Sequence, residues 1–153
     1  MTREIKFRGK DVDTGGWIDG DLIQRKGYYP GIMFPYESGG KVRYGECVVE
    51  PGTVGQFTGL LDKNGKEIYE GDVVKVKEIG GYALEYIGVV RYYTEDCRFG
   101  IDTSLTNKFT KRILFTKEKI SLNDGYCTIT YTNEYEIIGN VFDNPELLKT
   151  ETL

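Results

Sequence analysis

Gln56-Phe-Thr-Gly-Leu-Leu-Asp-Lys-Asn-Gly-Lys-Glu-Ile-Tyr-Glu-Gly-Asp72-Val-Val-Lys-Val76 decides the fold, because it encodes two chain reversals with a short strand between them. Asn64-Gly65, set between Asp62-Lys63 and Lys66, predicts a tight type I′ hairpin in which both residues take positive φ. Ile68 and Tyr69 then return as a strand. Glu70-Gly71-Asp72 predicts a second sharp bend feeding Val73–Val76, with Val74 and Val76 on one face and Val73 and Lys75 on the other. Two reversals this close leave room only for extended segments that pair antiparallel.

The flanks continue the pattern. Upstream, Ile5 and Phe7 alternate with charged residues as a half-buried strand, Asp13-Thr-Gly-Gly16 is a turn, and Trp17–Ile23 completes an N-terminal hairpin. Tyr28-Tyr29-Pro30-Gly31 is a Pro-Gly turn, and Ile32–Phe34 is a short apolar segment stopped by Pro35. Glu37-Ser-Gly-Gly40 turns the chain into Val42–Val49, Pro51 and Gly52 end that strand, and Val54–Thr58 begins another. Downstream, Leu84–Tyr93 is the longest strand, with Tyr86, Gly88, Val90 and Tyr92 on one face and Ile87, Val89, Arg91 and Tyr93 on the other. Phe99–Ile101, Ile113–Phe115, Ile120–Leu122, Tyr126–Tyr131 and Ile137–Val141 are further short strands. Asp102–Asn107 is expected as a loop and Asn123–Gly125 as a turn. Asn144-Pro145-Glu146 is the one clear helix start, and a short helix is expected to close the chain.

Twenty glycines and twelve tyrosines against four prolines suit short strands joined by glycine turns. The expected fold is mostly β and antiparallel, with a hairpin region over 1–52, a barrel-like region with a terminal helical turn over 53–153, and a soft boundary near Pro51. No apolar run reaches the roughly 20 residues of a membrane-spanning helix. The opening Met1–Phe7 alternates charged and apolar residues, unlike a signal peptide. Three cysteines, Cys47, Cys97 and Cys127, are an odd number at wide spacings, which is read as reduced thiols in a cytoplasm.

Histidine is absent, so Ser-His and Cys-His nucleophile pairs are excluded, and so is the commonest transition-metal ligand. No enzyme activity and no cofactor are expected. Net charge is −4, from 20 basic and 24 acidic residues, which argues against duplex binding. Glu95, Asp96, Asp102 and Asp124 match no calcium loop, and no metal site is expected. Asp72 could hold a cation or act as a base with Glu70, but as a carboxylate after a glycine bend it is read as an acceptor for nearby backbone N–H groups.

The candidate binding residues are Trp17, Lys63, Lys66, Tyr86, Tyr92 and Tyr93. The two lysines flank the hairpin tip and could hold an anion. The aromatic residues belong to a wider set with Tyr28, Tyr29 and Tyr82, whose amphipathic rings suit an interface. Surplus tyrosines and sheet edges also make a homo-oligomer an expected partner arrangement.

Gly71–Val76 followed by Gly88-Val-Val-Arg91 has the order of a small SH3-type barrel. More specifically, Arg3–Arg8, Trp17–Ile23, Thr58–Val74, Gly88–Tyr92 and Glu136–Leu148 together resemble the YopX family over nearly the whole chain. The resemblance implies a mostly β protein of bacteriophage or prophage origin, expressed in the host cytoplasm. It carries over no site residue, because the family has no established activity. The expected function is a non-enzymatic interaction module that meets a host or phage protein through a tyrosine-bearing surface. The alternative is a nucleic-acid accessory protein that sets Lys63, Lys66, Lys75 and Arg91 of an SH3-like half against the phosphate backbone.

Overall fold

In this computed structural model the described residues are 3–79, 85–104, 112–114 and 132–148, and their regular structure is antiparallel β apart from two short 3-10 turns. The chain divides into two compact units, Met1–Leu60 and Leu61–Leu153. The expectations for 120–122, 123–125 and 126–131, and the candidates Tyr82 and Asp124, lie outside the described residues, as does the second half of the expected 102–107 loop.

The first unit runs through β1 (Phe7–Lys10), β2 (Trp17–Ile23), β3 (Gly31–Ser38), β4 (Lys41–Val48) and β5 (Gly55–Leu61), in the spatial order β4-β3-β2-β1-β5. Asp11 makes the first turn by accepting the N–H groups of Asp13 and Thr14, both at 2.8 Å, as an Asx turn does. Register places Gly9 opposite Ile18, Leu22 opposite Ile32, and Ile32 opposite Cys47, so these residues share one face. Ile32 and Val49 are completely buried there. Gly9 allows that approach, since a Cβ on it would lie 2.8 Å from Val49 Cγ2. Pro51–Thr53 is a 3-10 turn within this unit, fastened to β1 by the Lys10 N–H donating to Thr53 Oγ1 at 2.9 Å.

One expectation fails here. Pro35 does not stop the strand, because β3 continues through it to Ser38. β2 pairs with β3 only between Gly31 and Met33, so Pro35 sits where β3 has β4 as its one neighbour and the missing N–H can face outward.

The second unit holds β6 (Glu67–Tyr69), β7 (Asp72–Ile79), β8 (Glu85–Tyr93), β9 (Arg98–Asp102), β10 (Arg112–Leu114) and β11 (Thr132–Asn140). Five of these strands form one sheet in the order β10-β9-β8-β7-β11. Val74, Val76, Gly88, Val90, Ile101 and Tyr135 are buried on one face, as the predicted alternation requires. The other face carries Lys75, Lys77, Glu85, Glu134 and Glu136, and near its end Val73 is buried opposite Gly139. A Cβ on Gly139 would stand 2.5 Å from Asn144 Oδ1 and 2.8 Å from Leu147 Cδ1, so the final turn lies over this end.

Three further expectations are corrected in this unit. The strand order is linear, with β10 and β11 at separate edges, so no closed SH3-like barrel is formed among the described residues. The expected C-terminal helix is a 3-10 turn over Pro145–Leu148; its start at the proline is as predicted, but four residues do not make an α-helix. The reversal at Asn64-Gly65 exists but is not type I′. Gly65 has φ +81° while Asn64 does not have positive φ, and Gly65 N–H returns to the Asp62 carbonyl at 3.0 Å. Asp62 N–H in turn reaches the Lys66 carbonyl at 2.7 Å, which gives a three-residue loop with glycine at its left-handed position.

Candidate functional site

The β3–β4 ladder extends from Gly31 opposite Val48 to Ser38 opposite Lys41, closed by a two-residue Gly39-Gly40 loop. Since β2 leaves β3 at Met33, everything from Phe34 to Gly45 is a two-stranded arm, and residues 35–44 are all exposed.

Strand alternation sorts the arm's side chains. Met33, Pro35, Glu37, Val42, Tyr44, Glu46 and Val48 share one face, while Phe34, Tyr36, Ser38, Lys41, Arg43 and Gly45 share the other. On the first face Tyr44 is 67% exposed, Val42 61% and Val48 45%. At its base Arg25 grips Glu46 through both terminal guanidinium nitrogens, Nη2 donating to Oε2 at 2.9 Å. The hydrogen bond from Arg25 holds the Glu46 carboxyl below its usual range, and the same bond raises Arg25. Tyr28 and Tyr29, in the loop leading to β3, are also exposed.

The residues singled out from the sequence do not gather in one place. Trp17, half-buried on β2, has the Arg8 guanidinium carbon 4.5 Å and the Lys10 ammonium 5.6 Å from its ring centroid, so cations cover it. The other five belong to the second unit. Lys63 pairs with Glu136 at 2.7 Å, and that hydrogen bond raises its pKa; Lys66 is exposed at the same hairpin tip. Tyr86 and Tyr92 lie toward opposite ends of one face of β8, with Tyr92 edge-on to Phe99 at 5.2 Å, and Tyr93 is on the other face. Lys75 holds Glu85 at 2.8 Å and Arg91 holds Asp102 at 3.2 Å. Three of the four cations named for phosphate contact are therefore engaged by carboxylates.

The acidic candidates act on backbone. Asp72, buried, accepts the Tyr69 N–H at 2.8 Å, and Glu70 accepts the Tyr92 N–H at 3.2 Å. Beside them a shallow groove of about 360 Å³ is bordered by Val90, Tyr92, Val141, Phe142 and Leu148. Among the described residues no three His, Cys, Asp or Glu side chains are grouped to hold a metal ion, and no helix is long and apolar enough to cross a membrane.

Sequence reasoning missed Tyr36, Val42 and Tyr44. Their signal was present in the alternation that continues through Pro35 and in the Gly-Gly loop that fixes the register. A protein-family model described as YopX protein matches residues 6–149, and no curated protein matches the chain.

Proposed function

We propose that the chain, which belongs to the YopX family, is a non-enzymatic protein-interaction module, encoded by a phage or prophage and acting in the cytoplasm of its bacterial host. One observation carries the reading: Val42 and Tyr44 stand exposed side by side on one face of a projecting arm, and Val48 is exposed farther along the same face of β4, beyond Glu46. Exposed apolar side chains gain about 25 cal/mol per Å² when a partner covers them, and tyrosine is prominent among residues that dominate binding energy. The arm presents these side chains without requiring the sheet beneath it to rearrange.

The partner is a host or phage protein with an apolar surface that complements Val42 and Tyr44. A photo-crosslinking amino acid at position 44 captures it and identifies it, with the same group at Lys66 as the comparison site. The purified partner then loses affinity more than tenfold for Tyr44→Asp while Lys66→Ala leaves it unchanged. Equal affinity for the parent chain and Tyr44→Asp would remove the arm from the function.

A further inference from the structure

The opposite face of the same arm has a different chemistry, and we infer that it is a platform for single-stranded nucleic acid. Arg43 stands directly opposite Tyr36, and Lys41 directly opposite Ser38. Both cations are exposed, and neither is in an ion pair among the described residues. The arm's one carboxylate, Glu37, and Glu46 at its base are on the other face, so nothing acidic on the arm stands beside these cations. Charge along the chain agrees: positions 1–60 hold eight basic and eight acidic residues, so the whole acidic excess belongs to the second unit.

Two rings complete the platform. Phe34 and Tyr36 lie two residues apart on β3, with centroids 6.4 Å apart and planes at 49°. Phe34 is laid over the backbone of β4, for a Cβ on Gly45 would be 3.0 Å from its ring Cζ. Tyr36 is the open ring, 44% exposed. Bases stack on such rings whatever their sequence, while neighbouring cations follow the phosphates. The ring spacing also selects the ligand, because it is nearly twice the roughly 3.4 Å step of a duplex strand. Bases that meet both rings must be spread apart, as a duplex does not allow. An acidic peptide would satisfy Lys41 and Arg43 but leave the rings unused.

The test is fluorescence anisotropy with labelled oligothymidylate at low salt, with folding of each variant checked by circular dichroism. The parent chain binds the single strand in preference to a duplex of equal length, and log affinity falls against log salt with a slope of roughly −1.4, as two phosphate contacts require. Tyr36→Leu and Arg43→Gln each weaken binding about fivefold or more, whereas Tyr44→Leu, on the protein-binding face, leaves it unchanged. The inference is overturned by no binding at low salt, by equal loss in Tyr44→Leu, by no loss in Tyr36→Leu, or by polyglutamate competing as well as the oligonucleotide. The last two outcomes assign the face to an acidic protein. Since the readout is independent of Tyr44, it fails separately from the protein-interaction reading.

Discussion

Asp62 and Ile137 are joined by a hydrogen bond of 3.3 Å from the Ile137 N–H to the Asp62 carboxylate, across 75 positions of sequence. The other carboxylate oxygen accepts the Asn64 and Lys66 N–H groups at 2.7 and 2.9 Å. One buried side chain thus shapes the hairpin loop and binds it to β11. Burial pushes its pKa up, but the N–H donors of Lys66, Asn64 and Ile137 outweigh burial and hold it below the ordinary 3.8. Asp62→Ala strands those donors and lowers stability by about 2 kcal/mol at neutral pH. A depressed carboxyl contributes its stability above its unfolded pKa and loses it as pH falls through the folded value. The gap between parent and variant in urea midpoint therefore shrinks as pH drops below about 4. A gap that is constant with pH would show that the charge is not what matters.

Gly65 and Gly71 have the same left-handed backbone, φ +81° and +82°, in different surroundings. At Gly65 nothing lies within 4 Å of an added Cβ, whereas at Gly71 Phe142 Cε2 is 3.2 Å away. Gly71 also donates to the Val90 carbonyl and accepts from the Val141 N–H, both at 2.9 Å, so any relaxation of its bend pulls on two other segments. Gly65→Ala should cost about 1 kcal/mol from backbone strain alone, and Gly71→Ala more than that. Urea melts of the two variants check the order, and a Gly65→Ala variant that is the less stable would contradict it.

What was legible in the chain was local. The reversal at Asn64-Gly65, the bend at Gly71 and the faces of β7 and β8 follow from residues within a few positions of one another. The type of the first turn was not legible, because Asp62, rather than the Asn-Gly pair, organises it and draws a donor from β11. Pairing of β7 with β11 is equally distant in sequence, from Asp72 opposite Asn140 to Ile79 opposite Thr132, and no local pattern encodes it. The short tail shows a subtler limit: Pro145 marks a start, but the 3-10 form of the turn and the placement of Asn144 and Leu147 beside Gly139 are not written in the local pattern. The arm was hidden by applying the proline rule to a strand whose outer side is unpaired at that point.

On the polar face of the second sheet, Lys77 stands opposite Glu85 of β8 and opposite Glu134 of β11. Lys77→Glu places three carboxylates in a row across neighbouring strands, where like charges destabilise by roughly 0.2–1 kcal/mol per pair. Lys77→Ala removes the cation without adding a repulsion. The expected order of thermal midpoints is parent, Ala, then Glu, and 1 M salt closes most of the interval between Ala and Glu through screening. An interval unchanged by salt would mean that packing, not charge, sets the cost.

Cys47 and Cys97 differ in a way that thiol chemistry can read. Cys47 is half-buried on β4, and burial raises its pKa first, with the hydrogen bond to the Asp11 carboxylate and the charge of that carboxylate acting in the same direction. Asp11 is itself held low, chiefly by the Thr14 N–H, so it stays anionic beside the thiol. Cys97 is exposed in the turn between β8 and β9. Because the thiolate is the reacting species, iodoacetamide at pH 8 alkylates Cys97 well before Cys47 in a Cys127→Ser background. Asp11→Asn speeds the slow phase by removing the negative charge, and peptide mapping assigns each phase to its residue. If both thiols react at one rate, or if Asp11→Asn leaves the slow phase unchanged, the carboxylate does not suppress thiolate formation at Cys47.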